Sequence, residues 1–291
     1  MPFPAYGSSV PSLAVNGAYF QGISFGDLAS TSNYQLVSMQ GIDLAGIASN
    51  DSQRPLQGGE FAGIDTPQGR DIFMNFNIRG ATAAALDANR LALMAAFQST
   101  GRTEYPLYFR TAGGTTYACM ARIRKFVAPV DIESILARTV RASVAFHATD
   151  WRLYATPTKQ ATHTFTGTAG AASCAVGGLA YASPIISILA GSGVCQPIIL
   201  AGAGNSIFDL EFGYITMQPG DLLTIDTDYQ TALWTPSGGG TPTKALYGLV
   251  WPATWGALPA NTTTAVSAID ESGSGATHTL TVQWADAFPG V

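Results

Sequence analysis

Charge is what this sequence has least of. Asp, Glu, Lys and Arg make up 11% of its 291 residues, against about 25% in an ordinary soluble domain. With 47% hydrophobic residues, the chain has little with which to decorate a free surface. We read this as surface covered by neighbouring subunits. Positive charge almost vanishes in the second half. Residues 160–291 hold Lys244 and eight acids, whereas 1–159 hold 13 of the 14 Lys/Arg and 11 of the 19 Asp/Glu. A net charge of +2 on the first part (13 bases, 11 acids) is too weak for a protein that grips nucleic acid. The break marks a domain boundary near residue 155.

Other absences narrow the class further. Cys119, Cys174 and Cys195 are odd in number, widely spaced and without a CxxC, which excludes a disulfide scaffold and argues against a zinc site. Assembly in a reducing cytoplasm is consistent with that usage. His147, His163 and His278 are far apart, so solvated strand-face histidines are expected rather than triad chemistry. The longest apolar run, around Ile185–Ala190, is far too short for a membrane span. Met1-Pro2-Phe3-Pro4-Ala5 has neither a basic n-region nor an apolar h-region, so no signal peptide and no membrane insertion are expected.

What is present reads as β structure. Ile72, Met74, Phe76 and Ile78 alternate with Asn75, Asn77 and Arg79, the pattern of a half-buried antiparallel strand. One helix follows. Thr82 is its N-cap, Ala83 to Gln98 is rich in Ala, Leu and Met, and Gly101 stops it. Leu86, Leu93, Met94 and Phe97 form its inward stripe. Strands resume at Tyr105–Arg110, at Thr116 to Phe126 and around Val140–Phe146. Thr156-Pro157-Thr158 reads as a linker. Eight short strands with Gly-rich turns follow, at Thr162–Phe165, Ile185–Leu189, Gln196–Leu200, Ser206–Phe212, Leu222–Ile225, Gln230–Trp234, Thr264–Ile269 and Thr277–Trp284. They describe a β-sandwich or jelly roll. The expected division is 1–155 and 156–291.

Each chemical constellation has a plainer explanation. Asp221, Asp226 and Asp228 offer oxygens to calcium, but their spacing matches no complete loop, so turn capping is expected. Asp209 and Glu211 share one strand face and lack a base partner, which makes them solvent-facing acids rather than a glycosidase pair. No catalytic, cofactor-binding or metal-ligating residue is assigned. Arg122, Arg124, Lys125, Arg138, Arg141 and Arg152 form a diffuse basic set suited to subunit contacts or to a passage for DNA. Tyr247, Trp251 and Trp255, in a Pro/Gly-rich loop, either close one end of the sandwich, the favoured reading, or are exposed as the candidate contacts to a partner or a glycan.

The order of motifs resembles the distal tail protein of long-tailed bacteriophages, or its relatives in gene-transfer agents and tail-like particles. Phe146-His147-Ala148-Thr149-Asp150-Trp151-Arg152-Leu153-Tyr154 is similar to the strand and Asp-Pro-aromatic sequence that ends the family's N-terminal part, with Trp151 in place of proline. Ser183-Pro184-Ile185-Ile186-Ser187-Ile188, Gln196-Pro197-Ile198-Ile199-Leu200, Gly220–Asp226 and Leu258-Pro259-Ala260-Asn261 match its C-terminal part in order. Ala260 replaces a usual glycine. The resemblance implies a mainly β chain, with an N-terminal β-sandwich carrying one packing helix and a C-terminal galectin-like β-sandwich. It implies a non-enzymatic virion protein, a homo-oligomeric and hexameric ring at the distal end of the tail tube. That ring would meet the tail tube protein above and the hub below, with the tape-measure protein a further contact and DNA only passing through its lumen. The alternative is a carbohydrate-binding module.

Overall fold

A computed structural model describes residues 11–26, 32–53, 60–98, 101, 103–167, 169–201, 207–250 and 252–291. The chain forms two compact units. The first comprises residues 11–156 and takes back Phe288–Val291; the second comprises Pro157–Ala287. Both are β-sandwiches, as the alternating sequence patterns lead one to expect.

In the first unit seven strands run in the order Ile23–Phe25, Ala18–Phe20, Tyr105–Arg110, Thr116–Val127, Thr139–Ala148, Arg70–Arg79, Tyr34–Gln40. The 12-residue strand Thr116–Val127 serves both layers. Its first half pairs with Tyr105–Arg110, and its second half pairs with Thr139–Ala148 across a bulge between Ile123 and Lys125. The bulge bends the strand and lets one continuous sheet fold over its own core. The sheet's two edges meet at a bridge between Gly26 and Gln35.

The predicted alternation of Ile72, Met74, Phe76 and Ile78 is observed, and all four side chains are buried. Phe20, Phe25, Phe76, Phe97 and Phe146 interlock with ring centroids 4.8 to 6.5 Å apart, each such pair adding roughly 0.5–1.5 kcal/mol beyond area burial. The helix is Ala83–Ala96, and Thr82 caps it by accepting the Ala85 N–H at 3.1 Å. Leu86, Leu93 and Phe97 face inward, but Met94 is 46% exposed. It follows Leu93 by one residue, a ~100° turn of the helix, which carries it off the stripe. A second helix, Ile132–Ala137, begins at Asp131, whose carboxylate accepts the Ser134 N–H, and none of its side chains is buried.

In the second unit a six-stranded and a four-stranded antiparallel sheet face one another. Ile186, Ile188, Leu223, Ile225, Leu280 and Val282 of the first meet Cys174, Ile199, Phe208, Leu210, Val266 and Ala268 of the second in one core. The strands not anticipated are Gly170–Val176 and the two-residue Thr243–Lys244.

Candidate functional site

The acidic hairpin of the second unit is built from turn chemistry. Asp221 accepts from the Gln218 and Ser237 N–H groups, each at 2.8 Å, and from the Trp234 indole at 2.9 Å. Burial works to raise its pKa, but these donors outweigh that and lower it. Asp226 accepts from the Asp228 and Tyr229 N–H groups at 3.0 and 3.2 Å, and burial pushes its carboxyl up. The two carboxylates stand at opposite ends of the strand Leu222–Asp226, roughly 16 Å apart at strand rise. They cannot share an ion. Asp209 and Glu211 lie on the outer face of the edge strand Phe208–Glu211, with no base among their side-chain partners in the described residues.

One buried polar cluster escaped sequence reading. His278 is fully buried, not solvated. Its Nδ1 accepts the Gly191 N–H at 3.0 Å, so its proton sits on Nε2, 3.3 Å from Asp270 Oδ2. Asp270 also accepts from the Gln196 and Ser272 N–H groups and from the Ser272 and Ser274 hydroxyls, at 2.7 to 3.0 Å. Burial works to raise the Asp270 carboxyl, yet these donors hold it at about 2. Cys195 lies beside them, within 4.8 Å of both. Burial, and then the Asp270 charge, push its thiol up to about 12. A transition metal needs a thiolate and a bare imidazole nitrogen. Here the Gly191 N–H already occupies Nδ1 and the other ring nitrogen engages Asp270, so a metal would have to displace these hydrogen bonds as well as the thiol proton. The hydrogen bonds make the cluster a staple joining residues 191, 196 and 270–278, with Cys195 packed beside it. Only glycine fits at 191, because a Cβ there would fall 1.7 Å from the Thr277 carbonyl oxygen.

Of the aromatic candidates, Tyr247 is 65% exposed, and Trp255 is half-buried against the core. Trp251 lies outside the described residues. Tyr214, which the sequence did not single out, is 74% exposed and donates its N–H to the carbonyl of Gly248, next to Tyr247.

The first unit has a different character. Of the basic set, Arg124, Lys125 and Arg141 are exposed. Arg138 donates to the Ala81 carbonyl at 2.8 Å. Arg152 is not a surface group. It is buried, pairs with Asp150 at 3.0 Å and lies over the Tyr154 ring. The Asp150–Tyr154 motif thus closes on itself, and the Trp151 carbonyl in its middle accepts from Arg70. Arg70 is itself buried. Its guanidinium also donates to Gly41 at 3.1 Å, Asp43 at 3.0 Å and Pro289 at 2.6 Å. Burial lowers its pKa, but an arginine stays charged under any working condition. This unit exposes large aliphatic side chains on its helices and on the segment 43–68.

No protein-family model matches the chain, and no curated protein matches its sequence. Solved structures do match its fold. The SPP1 Dit protein, described as a paradigm of the hub adsorption apparatus in phages infecting Gram-positive hosts, aligns with a TM-score of 0.66 at 12% identity, covering 94% of this chain and 98% of that one. Chains of the phage P2 baseplate in its activated conformation, with Ca and with Sr, each align with a TM-score of 0.51 at 8% identity, covering 87% of this chain and 91% of theirs. The chain shares its fold with these phage hub and baseplate chains over 87–94% of its length.

Proposed function

We propose that this chain is a structural protein of a phage tail tip. Its copies form a ring, a hexamer, at the distal end of the tail tube, joining the tube to the hub and the adsorption apparatus and leaving a lumen for DNA. The carrying observation is the full-length match to SPP1 Dit, which spans both units rather than one common sandwich. Physical support comes from the 11% charge content and from the aliphatic side chains exposed on the first unit, since a monomer rarely leaves large apolar patches in water. The partners in this reading are further copies of the chain, the tail tube protein, the hub and the tape-measure protein. The chain assembles in the host cytoplasm and performs no bond chemistry. Mass photometry of the purified protein, with imaging of tails, tests the ring. A chain that is monomeric both alone and in the particle refutes it.

Exposed Tyr214 and Tyr247 favour a second reading, in which the second unit stacks on a host glycan. Silence on a glycan array at millimolar-range sensitivity would count against it.

A further inference from the structure

One surface of the second unit joins exposed aromatic rings to carboxylates without a base. After the strand Phe208–Glu211 the chain turns through Gly213 and runs beside residues 247–250. Tyr214 donates its N–H to the Gly248 carbonyl at 3.3 Å, and Val250 donates to the Glu211 carbonyl at 2.8 Å. Tyr214 and Tyr247 therefore rise from adjoining backbone segments, and both stand in solvent. The Glu211 side chain folds toward the same spot. Its Oε1 lies 3.1 Å from where a Cβ on Gly213 would stand, and a Val250 methyl lies 3.2 Å from it. Asp209 shares the outer face of the strand with Glu211, one two-residue repeat away, about 7 Å.

Folding accounts for neither the rings nor the acids. Both tyrosines leave most of their surface in water. Among the described residues no base pairs with Asp209 or Glu211. Histidine aside, residues 157–287 hold only Lys159 and Lys244 as bases. Lys159 is taken by Asp286 at 2.6 Å. Lys244 lies opposite Leu233 on the six-stranded sheet, whereas the two acids belong to the four-stranded one. Both carboxylates thus keep their charge available to a ligand. Ionised carboxylates only accept hydrogen bonds, and an ammonium group only donates them. A tyrosine face attracts a cation within about 6 Å of its centre and also stacks on apolar surface. Rings and carboxylates together select a ligand that has an apolar face and carries amines. The excess of acids in residues 160–291, eight against one lysine, draws such a ligand in from a distance.

We propose that Tyr214, Tyr247, Glu211 and Asp209 bind a glycan that carries protonated amino groups. The inference rests on the glycan reading above and names the chemistry that reading takes. To test it, the full chain is titrated calorimetrically at pH ~5.5, where exposed carboxylates are ionised. The probes are a glucosamine oligomer, its N-acetylated counterpart of equal length, and oligolysine of equal charge. The glucosamine oligomer should bind roughly tenfold tighter than the acetylated one, and added salt should shrink that advantage. Asp209→Asn with Glu211→Gln should reduce it to the level of the acetylated oligomer. Tyr214→Ala with Tyr247→Ala should weaken its binding roughly fivefold or more, and phenylalanine at both positions should restore it. Unchanged thermal unfolding of these surface variants guards against misfolding. Equal binding of the two sugars overturns the charge inference and leaves the glycan reading standing. Oligolysine that binds as tightly as the glucosamine oligomer overturns a glycan as the occupant. Binding that survives both double variants overturns the assignment to this surface. If no probe binds, the inference and the glycan reading fall together, and the ring is untouched.

Discussion

Replacing Arg70 by methionine should destabilise the first unit selectively. The side chain is 3% exposed and donates to four backbone carbonyls, those of Gly41, Asp43, Trp151 and Pro289. Methionine keeps much of the volume and removes every donor. Hydrogen bonds to a charged group contribute about 1.5–3 kcal/mol each, and an orphaned buried acceptor costs about 1–3. Relief of guanidinium desolvation and rehydration of the carbonyls nearest the rim offset part of this. The net loss should resemble that of breaking a buried ionic contact, about 3–5 kcal/mol. For a unit of this size that lowers its melting temperature by about 6–20 °C. Calorimetry of the full chain should show one transition moved and the other, from the second unit, in place. Arg70→Lys keeps the charge but offers three donors from a single point, so it should recover less than half of the loss. Deleting residues 288–291 removes one acceptor and the edge contact of Phe288 on Tyr117, 5.5 Å between centroids, and should cost about 1–3 kcal/mol. A shift below about 2 °C for Arg70→Met, or full rescue by lysine, would refute the argument that the geometry of the fork holds these segments.

Three further outcomes follow, two from the second unit and one from the cysteines of both. Asp270 is buried and held at about 2, against 3.8 for a free aspartate, a difference equivalent to about 2.4 kcal/mol. Because the folded value is the lower one, that stability is present above pH ~4 and lost as pH falls toward 2; urea midpoints of the wild type and Asp270→Asn should converge across that window. Gly191→Ala drives a methyl into the Thr277 carbonyl and should cost about 2–4 kcal/mol by chemical denaturation. Burial raises Cys119, Cys174 and Cys195 each to about 12, so a thiol reagent at pH 8 should label none of them in the native protein and all three in denaturant.

The parts legible in the sequence are those with a strong local period. Ile72 to Ile78 alternates cleanly because one face of its strand is core, and the Ala83–Ala96 helix carries its own cap in Thr82. Turn-forming Asp221 sits where Pro219 and Gly220 announce a turn, and Asp226 opens the Asp-Thr-Asp turn that follows its strand. Gly170–Val176, Gly-Ala-Ala-Ser-Cys-Ala-Val, was missed because it is almost free of β-branched and aromatic residues; it is a strand because Thr262–Asp270 pairs with it. The Ile132–Ala137 helix is too short for a period to show. The Cys195–Asp270–His278 staple was invisible for another reason. Its members are up to 83 residues apart in sequence (195 to 278), and only the closed sandwich brings them together. Arg152 was misplaced among surface bases because nothing in a sequence distinguishes an arginine that folds back on the aspartate two residues earlier.

Arg70 carries a consequence for the order of events during synthesis. Three of its four carbonyl partners precede residue 152, but the fourth belongs to Pro289, beyond the whole second sandwich. A ribosome must therefore translate residues 157–287 before the first unit receives its final acceptor. Nascent chains that stall within the second sandwich carry a first unit with a missing lock. Full closure of the proposed ring-forming unit is thus tied to translation past residue 289, so the chain's own connectivity biases against premature entry of incomplete copies into an assembly.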